Sequence, residues 1–193
     1  SSAARPEGMK LKTLLSSLDK LEQEAGDDHE WLALLTGAYA RLAQVQGNDT
    51  GASLDKMPDA RGNAQHAIDL AQRAWPARQH DPDFVAAYAQ ALQIRAQGLR
   101  AEGKPAEGLR DLDDALARLD QAMSDAAQDS RRPLRVQRAS VRLVQAQFHD
   151  QQTIASLNQP ERALALYGQA EVELKAWDAQ QPDLAVAGLL ATL

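Results

Sequence analysis

The chain has 193 residues, carries a net charge of −6, and is 44% hydrophobic and 25% charged, with no cysteine. Length and composition fit one globular domain, and the missing cysteine excludes disulfides, thiolate catalysis and zinc–thiolate sites. The acidic balance argues against a field that draws in nucleic acid or anionic lipid, and no run of about 20 apolar residues is present to span a bilayer.

Aromatic residues make up only 4% of the chain, and β-branched runs are absent. Its core must therefore be packed from leucine and small residues, which favours closely spaced helices over strands. The opening Ser1-Ser2-Ala3-Ala4-Arg5-Pro6 has no initiator methionine, and its composition is not expected to serve as a signal peptide. The chain is expected to be a piece of a longer protein or a processed product.

Leu11, Leu14, Leu15, Leu18 and Leu21 recur at three-and-four spacing and predict an amphipathic helix over about 8–25. Gly26-Asp27-Asp28 is a helix stop followed by an N-cap signal. The second predicted helix turns Trp31, Leu34, Leu35, Ala38, Leu42 and Val45 inward and stops at Gly47-Asn48. Residues 47–58 are rich in Gly, Asn, Asp and Ser and predict a loop. A third helix is expected over 59–75 with Ala60, Ala64, Ala67, Ile68 and Ala71 inward, and Pro76 and Pro82 bracket a break.

The fourth predicted helix runs to about 102 with Val85, Tyr88, Leu92, Ala96 and Leu99. Glu102-Gly103-Lys104-Pro105 is a tight turn that places Pro105 in the first position of a fifth helix, with Leu109, Leu112, Leu116, Leu119 and Met123. Pro133 suits the first turn of a sixth, which carries Val136, Val141, Val144 and Phe148. Residues 149–159 predict a second loop, Pro160 starts a seventh helix, and Pro182 a short eighth. Eight helices on mostly short turns read as stacked antiparallel hairpins.

Three segments repeat one pattern: NAQHAIDLAQRA (63–74), EGLRDLDDALAR (107–118) and ERALALYGQAEV (161–172). Each has a small residue (Ala64, Gly108, Ala163), a bulky one four on (Ile68, Leu112, Tyr167) and an alanine three further (Ala71, Ala115, Ala170). Small residues let one helix press against its partner, the bulky one fills the groove beside it, and the alanine lets the next hairpin stack.

This small–bulky–alanine signature resembles the second helix of the tetratricopeptide repeat, whose usual period is ~34 residues. The matching first helices are less regular, the best being Tyr39, Leu42, Ala43 and Gln46. The expected fold is all-α: a tetratricopeptide-like α-α superhelix of about eight helices, with about three degenerate repeats stretched by long loops. As one domain over 1–193, it divides into a leading helix (1–26), repeats (28–80, 82–127 and 130–181) and a capping helix (182–193).

A more specific likeness lies in the first third. Ser2-Ala3-Ala4-Arg5, the step Leu18-Asp19-Lys20-Leu21, the acidic turn Gly26-Asp27-Asp28, the stretch Tyr39 to Asn48 and the step Asp59-Ala60-Arg61-Gly62 resemble the tetratricopeptide region of one kind of bacterial transmembrane serine/threonine kinase. In such kinases that region follows the catalytic domain and a membrane helix. The resemblance covers the whole chain loosely and residues 1–62 best. It implies a periplasmic sensor joined to the membrane only through a segment outside this chain. The chain departs from the pattern at Ile68, where that family has a tyrosine nearby, and in a more acidic, polar loop over 47–58.

No motif for catalysis stands out. His29, His66, His80 and His149 do not pair with one another or with carboxylates at metal-ligand spacing, and read as structural or surface residues. The acidic groups Asp27-Asp28-Glu30 and Asp111-Asp113-Asp114 read as a helix start and a solvated face, and Arg131, Arg132, Arg135, Arg138 and Arg142 as a solvated helix start. Phosphate-loop, serine-hydrolase and kinase signatures are missing, so no cofactor or metal is expected.

Superhelices of this kind bind on the wall formed by their first helices. Projecting those helices away from their cores selects Gln44, Asn48, Gln90, Gln93, Gln97, Arg100, Arg138 and Gln145 as partner-facing. Such an amide-rich wall reads polar groups and peptide backbone. The lysine–asparagine clamp by which some tetratricopeptide domains grip a chaperone's C-terminus is not expected, because the matching positions hold Ala40, Gln44, Gln93 and Gln97. The expected function is a non-catalytic protein-interaction or sensor module for a protein or peptide partner, not a nucleic acid. Alternatives are a stand-alone adaptor of an envelope or cytoplasmic complex and, from another class, a small helical enzyme or ligand carrier.

Overall fold

The computed structural model describes residues 6–47, 57–150, 156–179 and 184–191. Among them are α1 (Pro6–Ala25), α2 (His29–Gly47), α3 (Met57–Arg78), α4 (Pro82–Ala101), α5 (Pro105–Asp125), α6 (Arg132–His149), α7 (Pro160–Asp178) and α8 (Leu184–Leu190). A single 3-10 turn, Gln128–Arg131, leads into α6, and none of the described residues forms a strand. The chain is an all-α stack of helical hairpins.

Local chemistry sets the helix ends. Gly26 takes φ +56° after α1, a left-handed turn that residues with a side chain rarely adopt. Asp28 then caps α2 by accepting from the Glu30 and Trp31 N–H groups. Asp81 caps α4 in the same way through Asp83 and Phe84, with Pro82 entering the first turn. α3 differs from expectation by running through Pro76 to Arg78. A proline this close to a helix end removes one hydrogen bond, and the turn beyond it is held by the Gln79 N–H to Trp75 O bond at 3.0 Å.

The hairpins are α2–α3, α4–α5 and α6–α7. Each second helix also packs on the following first helix, and the first helices α2, α4 and α6 touch in sequence. Second helices make no comparable contact with one another, so the wall of first helices is the shorter one and the stack curves toward it. One apolar cluster runs from Leu18 through Tyr39, Ile68, Tyr88, Leu92 and Leu119 to Phe148. A smaller one joins Ala139, Leu174, Trp177 and Val186 where α8 covers α6 and α7.

The repeated small positions are buried: Ala64, Gly108 and Ala163 lie in hairpin seams, as do Ala71, Ala115 and Ala170. A Cβ on Gly108 would sit 2.7 Å from the Ala96 carbonyl oxygen and 2.8 Å from Phe148, so this seam accepts only glycine. The core face predicted for α2 needs correction. Leu35 and Leu42 are buried, but Trp31, Leu34 and Val45 are 46%, 63% and 69% exposed. Tyr39, Ala40 and Ala43 fill the core in their place, since a side chain as bulky as tyrosine spans the α2–α3 seam and turns the adjacent stripe outward.

Candidate functional site

The inner wall holds an open groove of about 680 Å³. Its floor is made of small residues, Ala33, Gly37 and Ala38 of α2 and Ala86 and Ala87 of α4, with Val136 of α6 at the side. Close helix approach explains that choice: a Cβ on Gly37 would lie 4.0 Å from the Ala87 Cβ. Glu30, Leu34 and Arg41 line it along α2, Asp83 and Gln90 along α4, and Arg132 and Gln137 along α6, with the Arg78–Asp81 ion pair where α4 begins.

Amides tie the first helices together across this wall. Gln90 Nε2 donates to Gln44 Oε1 at 2.7 Å, linking α4 to α2. Gln93 Oε1 accepts from Gln137 Nε2 at 2.9 Å and Ser140 Oγ at 3.2 Å, linking α4 to α6. Each pair leaves amide donors and acceptors over, since an amide carries two of each.

The eight sequence-selected residues therefore separate. Gln44, Gln90 and Gln93 share the inner wall, and half-buried Gln97 lies one turn beyond Gln93 on the same stripe. Arg100 is turned into the seam with α6, its guanidinium 5.3 Å above the Phe148 ring, and burial lowers its pKa. Arg138 faces α5 and α7: Nε lies 2.8 Å from Asp120 as an ion pair, and Nη1 donates to Glu173 at 2.8 Å. Gln145 is buried and donates to Asp113 at 2.7 Å. Projection by spacing aimed all three toward the open wall; the Phe148 ring turns Arg100 the other way, and the seam carboxylates turn Arg138 and Gln145. Asn48 lies outside the described residues.

Several of the charged groups expected to be solvated are seam residues instead, while Asp27, Asp28, Glu30 and Arg132 are exposed. Asp111 takes a two-pronged hydrogen bond from Arg95 at 2.7 and 2.8 Å, which raises the arginine's pKa against the opposing effect of burial. Asp114 pairs with Arg118, whose guanidinium stacks 4.3 Å from Trp75 and 4.6 Å from Tyr88. Arg142 joins Arg138 on Glu173. Asp111 becomes a seam residue because Arg95 on the neighbouring helix faces it, which one helix's spacing does not reveal, whereas Asp114 is held by Arg118 of its own helix.

At the front of the stack, His66 Nε2 meets Glu22 at 2.6 Å and its ring stands edge-on to Tyr39. Tyr39 donates to Asp19, and burial first, then this bond, raises its pKa. His149 is fully buried at the end of α6, and neither ring nitrogen has a hydrogen-bond partner among the described residues. Burial and then the Arg162 guanidinium push its pKa down, while the Asp113 carboxylate opposes them.

Sequence reasoning missed Glu30, Leu34, Arg41, Asp83 and Gln137. The signal was present on α2, because Glu30, Leu34, Gly37 and Arg41 form the stripe opposite Leu35, Tyr39 and Leu42. Reading Leu34 as core hid it. Among the described residues no group of three or more His, Asp or Glu side chains is placed to hold a metal, and no helix is long and apolar enough to cross a membrane. No protein-family model, curated protein or solved structure matches the chain.

Proposed function

We propose that this chain is a non-catalytic interaction module of the tetratricopeptide type, which holds a segment of a partner protein in the groove lined by α2, α4 and α6. The observation that carries this reading is the pairing of a small-residue floor with an exposed leucine. Leu34 is 63% exposed within a concave surface, and a large apolar side chain in a hollow is a feature of binding surfaces. The amide bridges between first helices hold that wall in shape before a partner arrives, which lowers the ordering cost of binding.

The likeness of residues 1–62 to kinase-attached repeat regions supports a more specific form of the reading. In it the chain is the periplasmic sensing region of a bacterial transmembrane serine/threonine kinase. Reading the gene upstream of the Ser1 codon tests this form: kinase motifs followed by an apolar segment of about 20 residues are expected, and a cleavable signal peptide directly before Ser1 contradicts it.

The groove itself is tested by placing a photo-crosslinking residue at position 34 or, on the opposite wall, at exposed position 169. A partner captured in the source cell from position 34 and not from 169 is the expected result. Equal capture from both positions contradicts the groove assignment.

A further inference from the structure

The groove's charges are arranged differently from those in the seams. Glu30, Arg41 and Asp83 are exposed, line the groove, and have no side-chain partner among the described residues. Glu30 and Arg41 lie eleven positions apart on one stripe of α2, about 16 Å along the axis at 1.5 Å per residue. Asp83 opens α4, which runs beside α2 in the same direction, as the Gly37–Ala87 and Gln44–Gln90 approaches require. Arg78, paired with Asp81, and Arg132 also line the groove where the first helices begin, so that end keeps one net negative charge against the positive charge of Arg41 near the Gln44–Gln90 bridge, with Leu34 and the alanine floor between.

The amides of the wall favour an extended guest, since a helix uses its main-chain N–H and C=O groups in its own hydrogen bonds and leaves few for a neighbour. An extended chain covers 16 Å with about five residues at ~3.3 Å each. The spare amide groups of Gln44 and Gln90 are suited to its main chain.

We infer that the groove selects an extended protein segment bearing a Lys or Arg and an Asp or Glu four to six positions apart, always in one order, with a small or branched apolar residue between them. The base lies against Glu30 and Asp83, the acid against Arg41, and the apolar residue on Leu34 and the alanine floor. This inference rests on the groove reading above and adds the partner's chemistry to it.

The test pans a random nine-residue peptide library against the full chain, against the charge-exchanged variant Glu30→Lys/Arg41→Glu, and against Leu34→Asp, with circular dichroism confirming that each is folded. The wild type is expected to enrich base-and-acid peptides in one order, and the exchanged variant to enrich the opposite order. A peptide chosen on the wild type should bind the exchanged variant about tenfold more weakly, since two exposed ion pairs change sign. Enrichment of uncharged or single-sign peptides, the same sequences from both proteins, or no enrichment overturns the inference. The groove reading is judged separately by Leu34→Asp: it stands if this variant abolishes enrichment of whatever peptides the wild type selects, and fails if they bind it unchanged.

Discussion

The seams between helices and the groove on the inner wall use the same side chains to opposite ends. In the seams charges meet their opposites within the chain: Arg95 with Asp111, Arg118 with Asp114, and Arg138 and Arg142 with Glu173. The groove also holds one internal pair, Arg78 with Asp81, but Glu30, Arg41 and Asp83 have no such partner among the described residues, and Leu34 is left uncovered. A charge satisfied internally stabilises the fold and has little left for another molecule. An unpaired charge adds little to the fold and keeps its field for a partner. The contrast separates residues that build this domain from residues available for its function.

The largest effect is expected in the tightest seam. Phe148 is buried against the Gly108 position with Arg100 over its ring, so Phe148→Ala should cost about 4 kcal/mol in urea unfolding. A loss under about 1 kcal/mol would mean that this seam is loosely packed.

Next comes the Arg95 pair. Asp111→Ala leaves a half-buried guanidinium without its carboxylate and should cost about 2 kcal/mol, discounted from fully buried cases for its partial exposure. Arg95→Met combined with Asp111→Leu should recover part of that loss, because no unpaired charge remains.

A smaller effect concerns pH. The folded protein holds His149 below its ordinary pKa near 6.5. Below that value the unfolded chain takes up a proton that the folded chain resists. The stability His149 contributes is thus full above pH ~6.5 and declines as the pH falls toward the lowered folded value, by at most about 1.4 kcal/mol per pH unit. Urea midpoints at pH 7 and 5 should differ less in His149→Phe than in the wild type. An equal difference would assign the acid sensitivity to other groups.

The smallest effect belongs to the groove: Glu30→Ala and Arg41→Ala should each change stability by less than about 0.5 kcal/mol. A larger loss would make them seam residues under another name.

These contrasts also explain what the sequence revealed. The hairpins were legible because their signals are local: Asp28 and Asp81 cap, Pro82, Pro105 and Pro160 open helices, and Ala64, Gly108 and Ala163 repeat at seam positions. Gln44, Gln90 and Gln93 were placed on the inner wall by the same helical spacing. Arg138 and Gln145 were not, because their direction is set by Glu173, Asp120 and Asp113 on other helices. Leu34 and Val45 misled for a related reason. Apolar residues cover more than half the circumference of α2, and only tertiary packing on Tyr39 decides which arc is buried.

The central claim, that the wall of first helices is the binding surface, is tested most directly by amide hydrogen exchange with and without a crosslink-identified partner segment. The account predicts added protection concentrated along 30–45 of α2 and 83–97 of α4, with exposed backbone of α5 and α7 unchanged. Protection centred on α5 or α7, with α2 and α4 unaltered, would contradict it.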